Sequence, residues 1–224
     1  MGFIKALFKA SAFGGAVTTG SYLYLTRGSN VVPCSMSDYL FTSPYFSKYN
    51  PHSNPAYHDM CLKRVPLSKL NPQLLAQDGK LVEAFCASVW SGLGYAIQRF
   101  YLTRTHKGPE TSHQLWSKSQ LRESTYPVGT EITDHFNVVE HAPSRIILRC
   151  GDSPLKRDVR TTDGLFEVSA NINQEEAVAE FGLKSLFYQG LGKTDKEPIP
   201  RPIVWLHHIY TKLLMETAVR RLTR

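Results

Sequence analysis

From Ser117 onward the chain stops repeating every three or four residues and begins to alternate. Five stretches carry the alternation: Ser117–Tyr126, Glu131–Val139, Ser144–Cys150, Gly164–Ile172 and Ala177–Tyr188. Residues two apart on a strand share a face, so each stretch predicts a strand with one apolar side. Pro or Gly separates several of them, and Glu140–Ser144 (EHAPS) reads as a hairpin connection. A run of short neighbouring strands predicts an antiparallel sheet, and the apolar face of such a sheet must be covered. The last segment supplies the cover. Pro202 opens it, and Ile203, Leu206, His207, Tyr210, Leu213, Leu214 and Thr217 follow at spacings of three and four. That is an amphipathic helix of about five turns.

Upstream, Met60–Leu67 predicts a short extended piece interrupted by Pro66. Lys80–Arg104 predicts helix and is apolar on nearly every side: Leu81, Val82, Phe85, Val89, Trp90, Leu93, Ile97, Phe100 and Tyr101. Such a helix is expected to be buried, with Gly92 and Gly94 as a possible break. Its charge-free part, residues 84–97, is too short to cross a bilayer, which takes about 20 residues. Residues 30–55, rich in Ser, Pro, Asn and Tyr, read as a linker or irregular arm. Tyr39, Phe41, Tyr45, Phe46 and Tyr49 are available there to pack on the domain. The chain divides into a hydrophobic anchor or leader (1–29), a linker or arm (30–55) and one domain (56–224).

The predicted class is α+β: a curved antiparallel sheet wrapped around a long carboxy-terminal helix, preceded by a hydrophobic amino-terminal helix. This order, with stretches such as Phe136–Asp152 (FNVVEHAPSRIILRCGD), Asp163–Glu167 (DGLFE) and Trp205–Leu214 (WLHHIYTKLL), resembles the START and polyketide-cyclase-like (SRPBCC) superfamily of helix-grip proteins. The same stretches are similar to small fungal proteins. The resemblance covers roughly residues 56–222 and implies a cavity for a small lipophilic molecule. It brings no catalytic signature that transfers to this chain.

Charge and composition narrow the partners. The formal charge is +7, with 26 Lys+Arg against 19 Asp+Glu. Residues 1–37 hold Lys5, Lys9 and Arg27 with no acid, and residues 201–224 hold Arg201, Lys212, Arg220, Arg221 and Arg224 against Glu216. The body between them is neutral, so it offers phosphates no basic face and argues against nucleic acid. Ala10–Leu25 carries no charge; with Lys5 and Lys9 before it, Arg27 after it and Tyr22 and Tyr24 near its end, it predicts a membrane anchor. A cleaved leader is the competing expectation. The membrane, mitochondrial or endoplasmic reticulum, is left open, as is the oligomeric state. Cys34, Cys61, Cys86 and Cys150 lie far apart, outside any zinc-finger or disulfide-framework spacing, and are expected to be buried thiols. No metal or cofactor is expected: the adjacent pair His207–His208 lacks the i, i+4 spacing of helical ligands, and no phosphate-binding or dinucleotide fingerprint occurs.

Sorting side chains by sheet face gives four polar groups on the apolar side: Glu123, Asp134, His207 and Tyr210. His135, Glu131, Arg145, Arg149 and Glu167 are assigned to the other side. A buried carboxylate needs a partner or a wet cavity. The four residues are therefore candidate catalytic groups: His207 as a proton shuttle, Asp134 or Glu123 as its counterpart, Tyr210 as a donor to a carbonyl or enolate oxygen. Tyr57–His58–Asp59 is read as packing, because adjacent strand residues point apart. Three functions follow as expectations. One is a membrane-associated isomerase, cyclase or dehydratase of natural-product biosynthesis. Another is a non-catalytic lipid or quinone carrier. The third is an anchored interaction protein without a pocket.

Overall fold

In the computed structural model the described residues are Gly20, Tyr22, Tyr24 and 26–224. Among them no helix is long and apolar enough to cross a membrane. The segment on which the anchor and the hydrophobic amino-terminal helix rest, Ala10–Leu25, lies outside the described residues except at Gly20, Tyr22 and Tyr24.

Four of the five alternating stretches, with two upstream segments, form a seven-stranded antiparallel sheet among the described residues. Its strands are β1 (Asn30–Val32), β2 (Ala56–Pro66), β3 (Glu131–Ile132), β4 (Phe136–Ala142), β5 (Arg145–Gly151), β6 (Asp163–Asn173) and β7 (Val178–Tyr188). They lie in the order β1-β2-β7-β6-β5-β4-β3. The long pairing of β2 with β7, from Ala56 opposite Tyr188 to Pro66 opposite Val178, joins the front of the chain to its back. Ala142 and Arg145 pair across the Pro143–Ser144 turn, where the sequence places a hairpin.

Three longer helices lie on one face. α3 (Lys80–Ser91) and α4 (Leu93–His106) are separated at Gly92, where a Cβ would fall 2.5 Å from the Ser88 carbonyl oxygen. α6 (Arg201–Val219) packs against both of them and against β2 and β7. Gly94 lets α4 approach α6 closely; a Cβ there would meet Thr217 Oγ1 at 2.7 Å. Ile146, Leu148 and Cys150 of β5, Phe166, Val168 and Ala170 of β6, and Phe181 and Leu183 of β7 enter this core as the alternation predicts. Phe85 meets Phe181 with ring centroids 4.8 Å apart, and Trp90 meets Phe136 at 4.5 Å. Offset or tilted aromatic pairs add about 0.5–1.5 kcal/mol beyond their buried area.

Residues 30–55 supply more than a linker: β1 and two short helices, α1 (Tyr39–Thr42) and α2 (Pro44–Tyr49). Asp38 and Ser43 cap them through backbone N–H groups of Leu40 and Phe46. Leu40 and Tyr49, flanked by Tyr39, Phe41, Tyr45 and Phe46, cover Ile147, Leu165, Leu186 and Tyr188 on the other face of the sheet. Arg149 and Glu167, assigned away from the main core, are therefore buried rather than solvated. Arg149 pairs with Asp163 at 2.6 Å under the Tyr49 ring, and Lys184 joins Glu167 at 2.9 Å and Asp38 at 2.7 Å.

Two strand assignments are corrected. Ser117–Tyr126 contains a helix, α5 (Lys118–Glu123). Ser117 Oγ accepts from Gln120 N–H while Gln120 Oε1 accepts from Ser117 N–H, a capping box written in the sequence as S-x-x-Q. Glu131–Val139 is not one strand, because Thr133 and Asp134 take left-handed φ angles of 48° and 56° and turn the chain between β3 and β4.

Candidate functional site

The apolar face of the sheet is not filled completely. A cavity of ≈ 300 Å³ lies between the sheet, the end of α3, the start of α4 and α6. Trp90, Phe136, Phe166, Phe187 and Leu214 give it an apolar wall; Gln98, His135, His207, Tyr210 and Thr211 add polar groups. Such a mixture, apolar lining with few convergent polar groups, is the usual composition of a small-molecule pocket.

His207 and Tyr210 are brought together here, three residues apart on the inward stripe of α6. Tyr210 donates its hydroxyl to Gln98 Oε1 at 2.7 Å, and burial raises its pKa above the ordinary phenol value. His207 is held by a carboxylate that the sequence reading passed over. Its Nε2 lies 3.2 Å from Asp59 Oδ1 and 3.1 Å from Asp59 Oδ2. Asp59 also accepts the Tyr57 hydroxyl at 2.7 Å, and His208 Nε2 lies 2.7 Å from that hydroxyl and 3.3 Å from Asp59 Oδ2. Tyr57 and Asp59 sit two apart on β2 and so share a face, whereas His58 points to the other side and meets Phe41 with ring centroids 5.1 Å apart.

The electrostatics of this cluster follow from its burial. Burial alone pushes the Asp59 carboxyl upward, but the hydrogen bond and charge of His207, the Tyr57 hydroxyl and the charge of His208 outweigh it, so its pKa lies below the usual carboxylate range. Tyr57 moves the other way: burial first, then the bond to Asp59 and its charge, raise the phenol. An ionised Asp59 accepts a hydrogen bond from His207 Nε2, which favours the tautomer carrying its proton on that nitrogen.

His135 lines the cavity although alternation sends it outward, because it belongs to the turn 133–135 between β3 and β4, where alternation does not apply, while Ile132, Phe136 and Val138 keep the predicted face. Burial lowers its pKa, opposed by the hydrogen bond to the Asp134 carbonyl. Asp134 itself is turned away. Its carboxylate accepts from Ser153 Oγ and Gln114 Nε2, and its N–H donates to Gln114 Oε1 at 2.6 Å. Glu123 lies exposed at the end of α5, 3.4 Å from Arg122, because the predicted strand is a helix. The cavity thus gathers His207 and Tyr210 but neither Asp134 nor Glu123. Asp59, Tyr57, His208, His135 and Gln98 were missed, and the i, i+2 spacing of Tyr57 and Asp59 was the readable signal for the first two.

Among the described residues no group of three or more His, Cys, Asp or Glu side chains is arranged to hold a metal ion. All four cysteines are buried and unpaired, and Cys150 forms part of the cavity wall.

No family model matches the chain, and no curated protein matches it. A solved structure of an uncharacterised protein from Rhizobium leguminosarum is similar at 14% identity, covering 74% of this chain and 97% of that one, with a TM-score of 0.30.

Proposed function

We propose that the domain is a helix-grip small-molecule binder that takes a lipophilic ligand into the cavity between the sheet and α6. The observation that carries this reading is the cavity itself, an aromatic-walled space with His207 and Tyr210 on one stripe of its helix. The ligand fitting such a site is a largely apolar molecule with one oxygen function: rings or chains against Trp90, Phe136, Phe166 and Phe187, and a carbonyl or hydroxyl toward His207 and Tyr210. A neutral aromatic ketone such as 1-acetonaphthone is a suitable probe. In nuclear magnetic resonance titrations it is expected to shift His207, Tyr210 and Phe166 together and saturably. Shifts confined to exposed residues would remove the reading.

The Asp59–His207 pair favours a second reading, acid–base catalysis of the isomerase, cyclase or dehydratase type. A carboxylate on Nε2 fixes the tautomer and steadies the imidazolium when Nδ1 takes a proton from carbon next to a carbonyl. Tyr210 gives up its one hydroxyl proton to Gln98 in this structure, so it serves a ligand oxygen only after that bond rearranges. Deuterium entry into the methyl group of bound 1-acetonaphthone measures the step. The catalytic reading expects acceleration that His207→Gln and Asp59→Asn abolish. Saturable binding with exchange at the buffer rate leaves the carrier.

A further inference from the structure

We propose that the exposed apolar face shared by α4 and α6 docks on an anionic phospholipid bilayer, a surface that is independent of what the cavity binds. On α4, Leu93, Ile97, Phe100 and Tyr101 are 80%, 82%, 60% and 62% exposed. At about 100° per residue they fall on one side of the helix. A buried helix was expected here; instead the inward residues are Tyr95 and Leu102, and the apolar remainder faces out. Contiguous exposed apolar surface of this kind marks an interaction site.

The neighbouring helix extends the patch. Gly94 N–H meets Thr217 Oγ1 and Gln98 meets Tyr210, so residue numbers rise along α4 as they fall along α6. The helices run antiparallel, which sets Phe100 and Tyr101 level with the first turns of α6. Those turns expose Ile203, Leu206 and, at 66%, Trp205.

Charge selects the partner. Arg104 lies on the same stripe, its guanidinium 4.4 Å from the Phe100 ring centroid, and Arg99, Lys107 and Arg201 stand on or next to the same helices. α4 has no carboxylate, and the only one on α6, Glu216, is buried against Lys63 at 2.7 Å. A symmetric pair of copies would set these cations against one another. A bilayer suits them: apolar side chains enter the acyl boundary, Trp and Tyr sit at its edge, and Arg and Lys meet anionic head groups. The Tyr22 hydroxyl donates to the Ile209 carbonyl of α6 at 3.2 Å. Gln98, His207 and Tyr210 of the cavity stand on the same two helices, so docking brings the ligand site to the lipid.

The four native cysteines are buried, so one added cysteine can carry a polarity-sensitive fluorophore on the full chain. Ile97→Cys reports on the patch, and Val128→Cys, exposed in the turn before β3, is the control. With vesicles of phosphatidylcholine and phosphatidylserine, the probe at position 97 is expected to shift to the blue and be quenched by brominated acyl chains. The probe at 128 is expected to stay in water, and phosphatidylcholine alone should give a smaller shift. The proposal is overturned if the full chain floats with vesicles while the probe at 97 remains aqueous, or if the chain does not float. It is equally overturned if the probe is shielded before lipid is added, since a second copy or another part of the chain then covers the face.

Discussion

The two faces of the sheet use the same strands in opposite ways. On the arm side, most buried charges are paired, Arg149 with Asp163 and Lys184 with Glu167 and Asp38, while Arg160 is buried without an ion pair among the described residues. On the helix side, the charged and polar groups gather at one end of an incompletely filled aromatic space: Asp59, His207 and His208 around Tyr57, with His135 and Tyr210 in the cavity wall. Closely paired charges hold a layer in place, and of these only Asp163 also borders the cavity. A histidine held by one carboxylate here borders open volume. The difference teaches that burial of a charge does not identify a site; a charge beside unfilled space does.

The largest expected effect breaks the arm side. Arg149→Ala leaves Asp163 buried without its partner and should cost about 3–5 kcal/mol in urea unfolding. A loss below 1 kcal/mol would make the paired layer ornamental rather than structural. On the helix side, Phe187→Ala should cost less than the about 3–5 kcal/mol of a fully buried phenylalanine, since its ring already borders open volume. Near-equal costs at Phe187 and at the fully buried Phe181 would contradict the cavity.

Asp59→Asn should cost about 1.5–3 kcal/mol, the range for hydrogen bonds to a charged group. The sign with pH is specific. A carboxylate whose folded pKa is depressed contributes stability above its unfolded pKa of about 3.9 and loses it as pH falls through the folded value. Unfolding free energies measured from neutral to acid pH should converge for wild type and Asp59→Asn at the acid end. Parallel curves would show that the carboxylate gains nothing from its histidines. The smallest effect belongs to the exposed stripe: Ile97→Ser should change stability by no more than about 0.5 kcal/mol.

Much of the sheet was legible because alternation is a local signal. β5, β6 and β7 lie close to their expected bounds, and the sorting of Ile146, Leu148, Phe166 and Val168 to one face holds. What alternation could not supply was the second layer. The side opposite the main core is itself covered, by the arm, which buries Arg149 and Glu167. Glu123 was misplaced because a six-residue helix with a capping box also alternates when read by twos. Asp134 and His135 exchanged roles because both lie in a turn rather than a strand, and neither left-handed residue, Thr133 or Asp134, is a glycine that would have announced it. The inward placement of His207 and Tyr210 was legible from helical spacing alone. Their partners were not, since Asp59 is 148 residues from His207 and only the β2–β7 pairing places β2 beside that helix.

The most direct test of the central claim is a fluorescence titration of the full chain with the neutral probe N-phenyl-1-naphthylamine. Wild type is compared with Thr211→Phe, which puts a ring into the cavity, and with Tyr45→Ser on the arm side; near-UV circular dichroism checks that each is folded. We expect one saturable site in wild type, the same site in Tyr45→Ser, and its loss in Thr211→Phe. Binding by folded Thr211→Phe at wild-type affinity would place the apolar ligand elsewhere and contradict the account.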